Sequence, residues 1–429
     1  MKTSLRTIQG STRLVFDSVE GITNTVERMH ASIARPPFPW RDQASEPGRA
    51  HGMIASGVYS MIRGINGLLR AGVDTTFSLA ADSSGGSRRP GAEVRAVAAL
   101  NGAFGDHLEA SGNTLAIPMR VTTPRQPLEL ETGALAEALP QASPHVVVLV
   151  HGLSLSELSW KRGDGPCLGG RLQQELEYTP VYLSYNSGRH ISTNGQEFAQ
   201  LLESLCSAWP VPVQSLSLVG HSMGGLVIRS ACWYAGQAQS DWLQYLDRVV
   251  CLGTPHHGAA LERAGNAFDR AMEKLPYTEP LALGRGRSVG IKDLRHGNLL
   301  HEDWLGHHPD RSPQDKRRIV PLLPDVDYYF VAATVGRDRR DPLGRFLGDM
   351  LVRVGSAVGS HPDALRRLAI EPENCKVFHE KNHFDLLDDE QVHRQIVNWL
   401  GNRGSVAREK ADRPHPGGGT GSDRNLVCG

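Results

Sequence analysis

The sequence has no surplus of either charge: Lys plus Arg and Asp plus Glu stand at 46 each in 429 residues. Such a balance offers no general field to draw in a polyanion, so nucleic acid is not expected as a partner. Cysteine is sparse and unpaired in pattern. Cys167, Cys206, Cys232, Cys251, Cys375 and Cys428 are widely scattered and form no CxxC unit, which reads as buried or incidental thiols. Long apolar runs are missing too. The opening MKTSLRTIQGSTRLVFDSVEG lacks the continuous apolar core of an export signal, and no later stretch reaches membrane-span length. The histidine pairs at 256–257 and 307–308 have no further ligands at a diagnostic spacing, so no metal is expected. No glycine-rich phosphate loop or dinucleotide fingerprint occurs either. The expectation is a cytoplasmic protein that works without a cofactor.

What is present divides into two textures. In residues 1–112, Leu5, Ile8, Thr12, Val15, Val19, Ile22, Val26, Met29 and Ile33 recur at alternating spacings of three and four, one stripe of a helix. Prolines in ARPPFPW (34–40) stop it. A second stripe uses Ile54, Val58, Met61, Ile65, Leu68 and Val73, and a third uses Val94, Val97, Leu100, Phe104 and Leu108. A helical region of this kind has three ways to cover its apolar faces: against the rest of the chain, against a second copy, or against a lipid surface.

From about residue 113 to 400 short β-branched strands alternate with helices. HVVVLVHG (145–152), TPVYLSYN (179–186), SLSLVG (215–220), DRVVCLGTPHHG (247–258), VDYYFVAATVG (326–336) and NCKVFHEKNH (374–383) read as strands, and Leu115–Val121 with the stretch near Leu128 reads as a hairpin. Helices are expected at 193–208 and 224–238. This alternation implies an α/β class with a mostly parallel central sheet covered by helices on both faces. Residues 259–325 are too long for one crossover and are expected to form a cap. Its apolar residues, among them Phe268, Met272, Leu275, Leu281, Leu283, Leu299, Leu300, Trp304 and Leu305, suffice to line an acyl pocket. Residues 401–429 read as a disordered tail.

The most informative stretch is LSLVGHSMGGL (216–226). Gly220-His221-Ser222-Met223-Gly224 fits G-x-S-x-G, set between an expected strand and an expected helix, which makes it a candidate nucleophile elbow. Such a turn crowds its flanks, so the positions two before and two after the serine must be small. A serine needs a base and an orienting acid to act as a nucleophile. His383, in HEKNHFDLL after the last strand, is the candidate base; His379, His256 and His257 compete. Asp349, in FLGDMLVRVGSA, is the candidate acid, with Asp338 and Asp341 nearer the end of the preceding strand. Two N–H groups should hold developing negative charge. Met223 supplies one and Leu153 the other, after a loop shaped by His151 and Gly152.

VVVLVHGLS, VGHSMGGLV, CLGTPHHG, GDMLVRVGSA and KNHFDLL together resemble the α/β-hydrolase superfamily. They look most similar to its lipase/esterase branch, with the inositol-deacylase-like and lecithin:cholesterol acyltransferase-like proteins. The resemblance covers roughly 115–400, and Met350 stands where the family's D-G-x-V segment carries glycine. It implies an α/β-hydrolase fold, Ser222, Asp349 and His383 as triad, and a serine esterase acting on an acyl ester or lipid through an acyl-serine. An acyltransferase with the same triad and a non-catalytic scaffold of the same fold are the alternatives. Residues 1–110 lie outside the resemblance; packing against the catalytic domain is the first expectation for them, with peripheral membrane contact or self-association as the alternatives.

Overall fold

A computed structural model describes residues 90–402, apart from 111, 114, 125, 162–165, 260–287, 307–314, 339–340, 342–347 and 350. The stripes at Leu5–Ile33 and Ile54–Val73, the cap residues Phe268–Leu283, Met350 and the tail beyond 402 fall outside them. The first element is α1 (Pro90–Ala110). Then come β1 (Arg120–Thr122), α2 (Thr132–Ala138), β2 (His145–Val150), α3 (Leu168–Leu176), β3 (Thr179–Ser184) and α4 (Ile191–Ala208). They are followed by β4 (Ser215–His221), α5 (Met223–Ala238), β5 (Leu246–Leu252) and α6 (Val289–His296). β6 (Asp327–Thr334), the single turn α7 (Val354–Ala357), β7 (Cys375–His379) and α8 (Glu390–Gly401) complete the order.

The seven strands form one sheet in the order β1-β3-β2-β4-β5-β6-β7. Every pairing is parallel except that of β1, which runs antiparallel to β3 through Val121↔Leu183. The expected hairpin at 115–128 is therefore mostly an edge strand on β3, with a single bridge from Thr122 to Pro127. The VVVLV run of β2 is wholly buried because both its faces are covered. Side chains alternate across the sheet. Val146, Val148 and Val150 pack in one cluster with α4 and α5, while Val147 and Leu149 pack in another with Leu168 and Leu172 of α3 and Val392, Ile396 and Leu400 of α8. A mostly parallel sheet covered in this way has the architecture of the α/β-hydrolase fold.

The chain leaves β2 for β3 on one side and returns to place β4 on the other. That reversal opens a crevice beyond the carboxyl ends of β2 and β4, the position where open α/β sheets take ligands. Helix α1 closes one side of it. A methyl group at Gly102 would stand 2.0 Å from Ser154 Oγ, so only glycine admits this approach to the loop after β2. Asn186 Nδ2 donates to the Gly105 carbonyl at 2.8 Å, and Ser288 Oγ to the Gly102 carbonyl at 2.7 Å. Of the stripe expected here, Leu108 is buried, but Phe104 is 42% exposed. The helix kinks at Phe104 (φ −136°, ψ 18°), which rotates that side chain off the packed face.

The described parts of the 259–325 connection pass from that crevice down the flank of α5. Gly290 N–H donates to the Gly188 carbonyl at 3.0 Å above β3. Leu299 and Leu300 then bury in the α4–α5 core, and Trp304 stacks on His190 at a centroid separation of 3.7 Å. Leu305 is exposed. Leu300 and Trp304 therefore pack the domain and Leu305 faces solvent, while Leu299 also borders a cavity on the flank of the molecule.

Candidate active site

Ser222 lies between β4 and α5, with φ 54° and ψ −120°, a backbone conformation that non-glycine residues rarely hold. Its N–H donates to the Leu252 carbonyl at 2.8 Å, which ties the turn to the end of β5. The flanking glycines have a steric cause. A methyl group at Gly220 would lie 2.6 Å from the Gly225 nitrogen, and one at Gly224 would lie 2.3 Å from the Val150 carbonyl oxygen. The helix start is thus pressed onto the ends of β2 and β4, and no β-carbon fits at either position.

The acid and the base meet at the same edge. His383 Nδ1 and Asp349 Oδ2 are 2.7 Å apart, and both side chains are buried. A carboxylate only accepts, so Nδ1 carries the proton and Nε2 is left with a lone pair. Asp349 is itself fixed: Oδ1 accepts the Leu351 and Val352 N–H groups at 3.0 and 2.7 Å. Its carbonyl accepts the His383 N–H at 3.2 Å. His383 also abuts the residue after β5, since a methyl group at Gly253 would touch its Cε1 and Nδ1 at 3.0 Å. Ser222 and His383 are therefore both seated on the Leu252–Gly253 turn.

The competing residues fall elsewhere. Asp338 is exposed and its carboxylate accepts the Asp341 N–H at 3.0 Å, while Asp341 accepts the Arg337 N–H at 3.0 Å. His379 is the last residue of β7. His256 is buried, stacked 4.3 Å from Phe330, and His257 Nε2 donates to the Gly359 carbonyl at 3.2 Å.

Met223 is the first residue of α5, so its N–H has no acceptor within the helix and sits at the positive end of the helix dipole. Leu153 follows Gly152 after β2. A methyl group at Gly152 would stand 3.0 Å from Ser222 Cβ, which places this loop directly against the serine. Tyr185 Oη donates to the His151 carbonyl at 2.8 Å and its ring stacks on the imidazole at 4.4 Å, fixing the loop from beneath.

His221 does more than its elbow position announces. Its Nε2 donates to the carbonyl of His383 at 3.1 Å, and the two rings are 4.8 Å apart. It thus braces the backbone of the candidate base from within the nucleophile turn. His221→Ala is expected to lower kcat for a good ester by up to about 100-fold with little change in KM, the scale of a misplaced reacting group. An unchanged kcat would show that His383 is held without it.

Burial also keeps His151 neutral. Desolvation brings its pKa from 6.5 to about 4, against a smaller upward pull from its bond to the Gly152 carbonyl. His257 is held at about 4, also chiefly by burial, and His256 lies well below its ordinary value for the same reason. In the unfolded chain each binds a proton near 6.5, so between 6.5 and 4 the unfolded state takes up more protons. Their contribution to stability is complete above pH 6.5 and is lost as pH falls toward 4. For His151 that contribution is on the order of 3 kcal/mol. Tm should fall through this window and His151→Gln should flatten the fall; a Tm indifferent to pH there would contradict the buried neutral imidazoles.

Residues 142–307 match the family described as the PGAP1-like alpha/beta domain. The match includes Leu153 and Ser222 and ends before Asp349 and His383. Among solved structures, a lipase of Bacillus licheniformis in mature form is similar at 19% identity, over 60% of this chain and 94% of that one, with a TM-score of 0.40. The Staphylococcus hyicus lipase follows at 14% identity, 63% and 97% coverage, TM-score 0.36. Human thioesterase 2 is similar at 9% identity, 64% and 100% coverage, TM-score 0.34. No curated protein sequence matches the chain.

Proposed function

We propose that this chain is a serine hydrolase of carboxylic esters, with Ser222 as nucleophile, His383 as base and Asp349 as orienting acid. The observation that supports it most is the pairing of a strained serine with a buried His383–Asp349 hydrogen bond of 2.7 Å at one strand-end edge. Ser222 Oγ attacks the acyl carbon while His383 Nε2 takes its proton, and the carbonyl oxygen becomes an oxyanion facing the Met223 and Leu153 N–H groups. Collapse breaks the C–O bond, and the imidazolium gives its proton to the departing alkoxide. Water then enters, loses a proton to Nε2 and adds to the acyl-serine. The second collapse releases the acid and returns the proton to Ser222.

A preference for aliphatic, lipid-like acyl groups belongs to the same proposal. It rests on the apolar content of the cap sequence, notably Phe268, Met272, Leu275, Leu281 and Leu283. So does a cytoplasmic site of action with lipid-surface contact through residues 1–110. Among the described residues, no helix is long and apolar enough to cross a membrane. A fluorophosphonate probe should label the wild-type chain and leave Ser222→Ala unlabelled, and a ladder of acyl esters with and without vesicles should show faster turnover of aliphatic chains. Absence of labelling would overturn the nucleophile, and faster cleavage of amides than of esters would overturn the substrate class.

A further inference from the structure

A second cavity, of about 550 Å³, opens on the flank of the molecule, and neither Ser222 nor His383 nor Asp349 lines it. Its size falls within the ordinary range for small-molecule pockets, roughly 300–1,000 Å³. It lies between α5, the turn after β5, the segment leading into β6 and the segment before β7. Arg229 and His256 contribute to its wall, and both are buried, at 4% and 1% exposure.

The chemistry of that wall is unbalanced. Arg229 Nη2 donates to the Val320 carbonyl at 2.8 Å, and Nη1 lies 3.3 Å from His256 Nδ1. A guanidinium can only donate, so His256 Nδ1 accepts and the ring proton resides on Nε2. Arg229 Nε and His256 Nε2 are then two buried N–H donors, and neither has an acceptor. Among the described residues no carboxylate pairs with Arg229. Of the carboxylates on the lining, Asp303 accepts the N–H groups of Leu299, Leu300 and Arg318, and Asp327 and Glu371 are outnumbered there by Arg317, Arg318, Arg366 and Arg367 in addition to Arg229. A buried cation with an unmet N–H of its own, next to a neutral imidazole with a second, is the complement of an oxyanion. The rim has the opposite character. Ile319 and Leu365, both on the lining, are 44% and 75% exposed.

We propose that this cavity binds an anionic amphiphile, its oxyanion head on Arg229 and His256 and its apolar portion against Ile319 and Leu365. The head is a carboxylate or a phosphate monoester, since both offer the two acceptor oxygens that the donors require. The site is separate from the serine edge and does not depend on the esterase reading.

Calorimetric titration of the full chain with octanoate, octyl phosphate, octanol and inorganic phosphate tests it. At least one of the two octyl anions should bind ten-fold or more tighter than octanol and than inorganic phosphate. Which of them does so identifies the head group. Arg229→Met should weaken that anion at least ten-fold and leave octanol unchanged. Ile319→Asp, at an exposed position that folding does not depend on, should weaken it similarly, and decides the matter if Arg229→Met fails to fold. Equal affinity for anion and alcohol, or an anion affinity that survives Ile319→Asp and any folded Arg229 variant, would overturn the proposal. Inorganic phosphate binding as tightly as octyl phosphate would overturn the apolar half of it.

Discussion

Ser222→Ala should lower turnover of an activated acyl ester by roughly 10^4 to 10^6-fold, with His383→Ala falling as far, because groups that act as a unit fail together. The size of the loss follows from what alanine leaves behind. The elbow, the helix dipole and both N–H donors would persist, so any residual rate measures charge stabilisation without a covalent step. Fold should survive. Alanine fits wherever serine does, and the Ser222 N–H bond to the Leu252 carbonyl is a backbone contact. Tm and turnover measured on the same preparation separate the two effects. A variant with near-normal turnover would remove Ser222 from the mechanism.

Asp349→Asn should be the next most damaging change, by roughly 10^4-fold, while conserving shape. An amide at this position can donate to His383 Nδ1, which would leave the proton on Nε2 and deny the serine its base. The Leu351 and Val352 N–H groups, 3.0 and 2.7 Å from Oδ1, should hold the asparagine oxygen and turn its NH2 toward the histidine. That geometry makes the wrong tautomer the stable one. Asp338→Asn serves as the comparison, since that carboxylate is exposed and engaged with the Asp341 N–H. If Asp338→Asn were crippling and Asp349→Asn benign, the acid would have to be reassigned.

The parts of this architecture that local rules govern were the parts visible in the sequence. Gly220 and Gly224 are demanded by atoms within a few residues or one strand away, so the G-x-S-x-G pattern carries the turn with it. The β2 run HVVVLV announces a strand buried on both faces. Contacts that span the chain left no comparable mark. His221 reaches the carbonyl of a residue 162 positions later, and nothing around GHSMG announces it. Arg229, in the run LVIRSA, resembles any surface cation until segments from four parts of the chain enclose it. Helix α8 carries its own local signals. Asp389 caps it by accepting from Gln391 and Val392, and Val392, Ile396 and Leu400 mark one face at a spacing of four. The kink at Phe104 lies at the other extreme, because the 3.6-residue period places that side chain inward and only the bent backbone turns it out.

Helix α1 has a consequence for modularity. The recognisable segment, 142–307, begins after it, yet the turn carrying Leu153 and Ser154 rests against Gly102, and Ser288 is tied to the same helix turn through the Gly102 carbonyl. Cutting the chain at the edge of sequence similarity would therefore strip one wall from the crevice and leave the turn before Ser222 without its support. The transplantable unit is a physical one that includes α1. A chimera that borrows only the matched segment would inherit Ser222 but lose the helix that walls the crevice beside it.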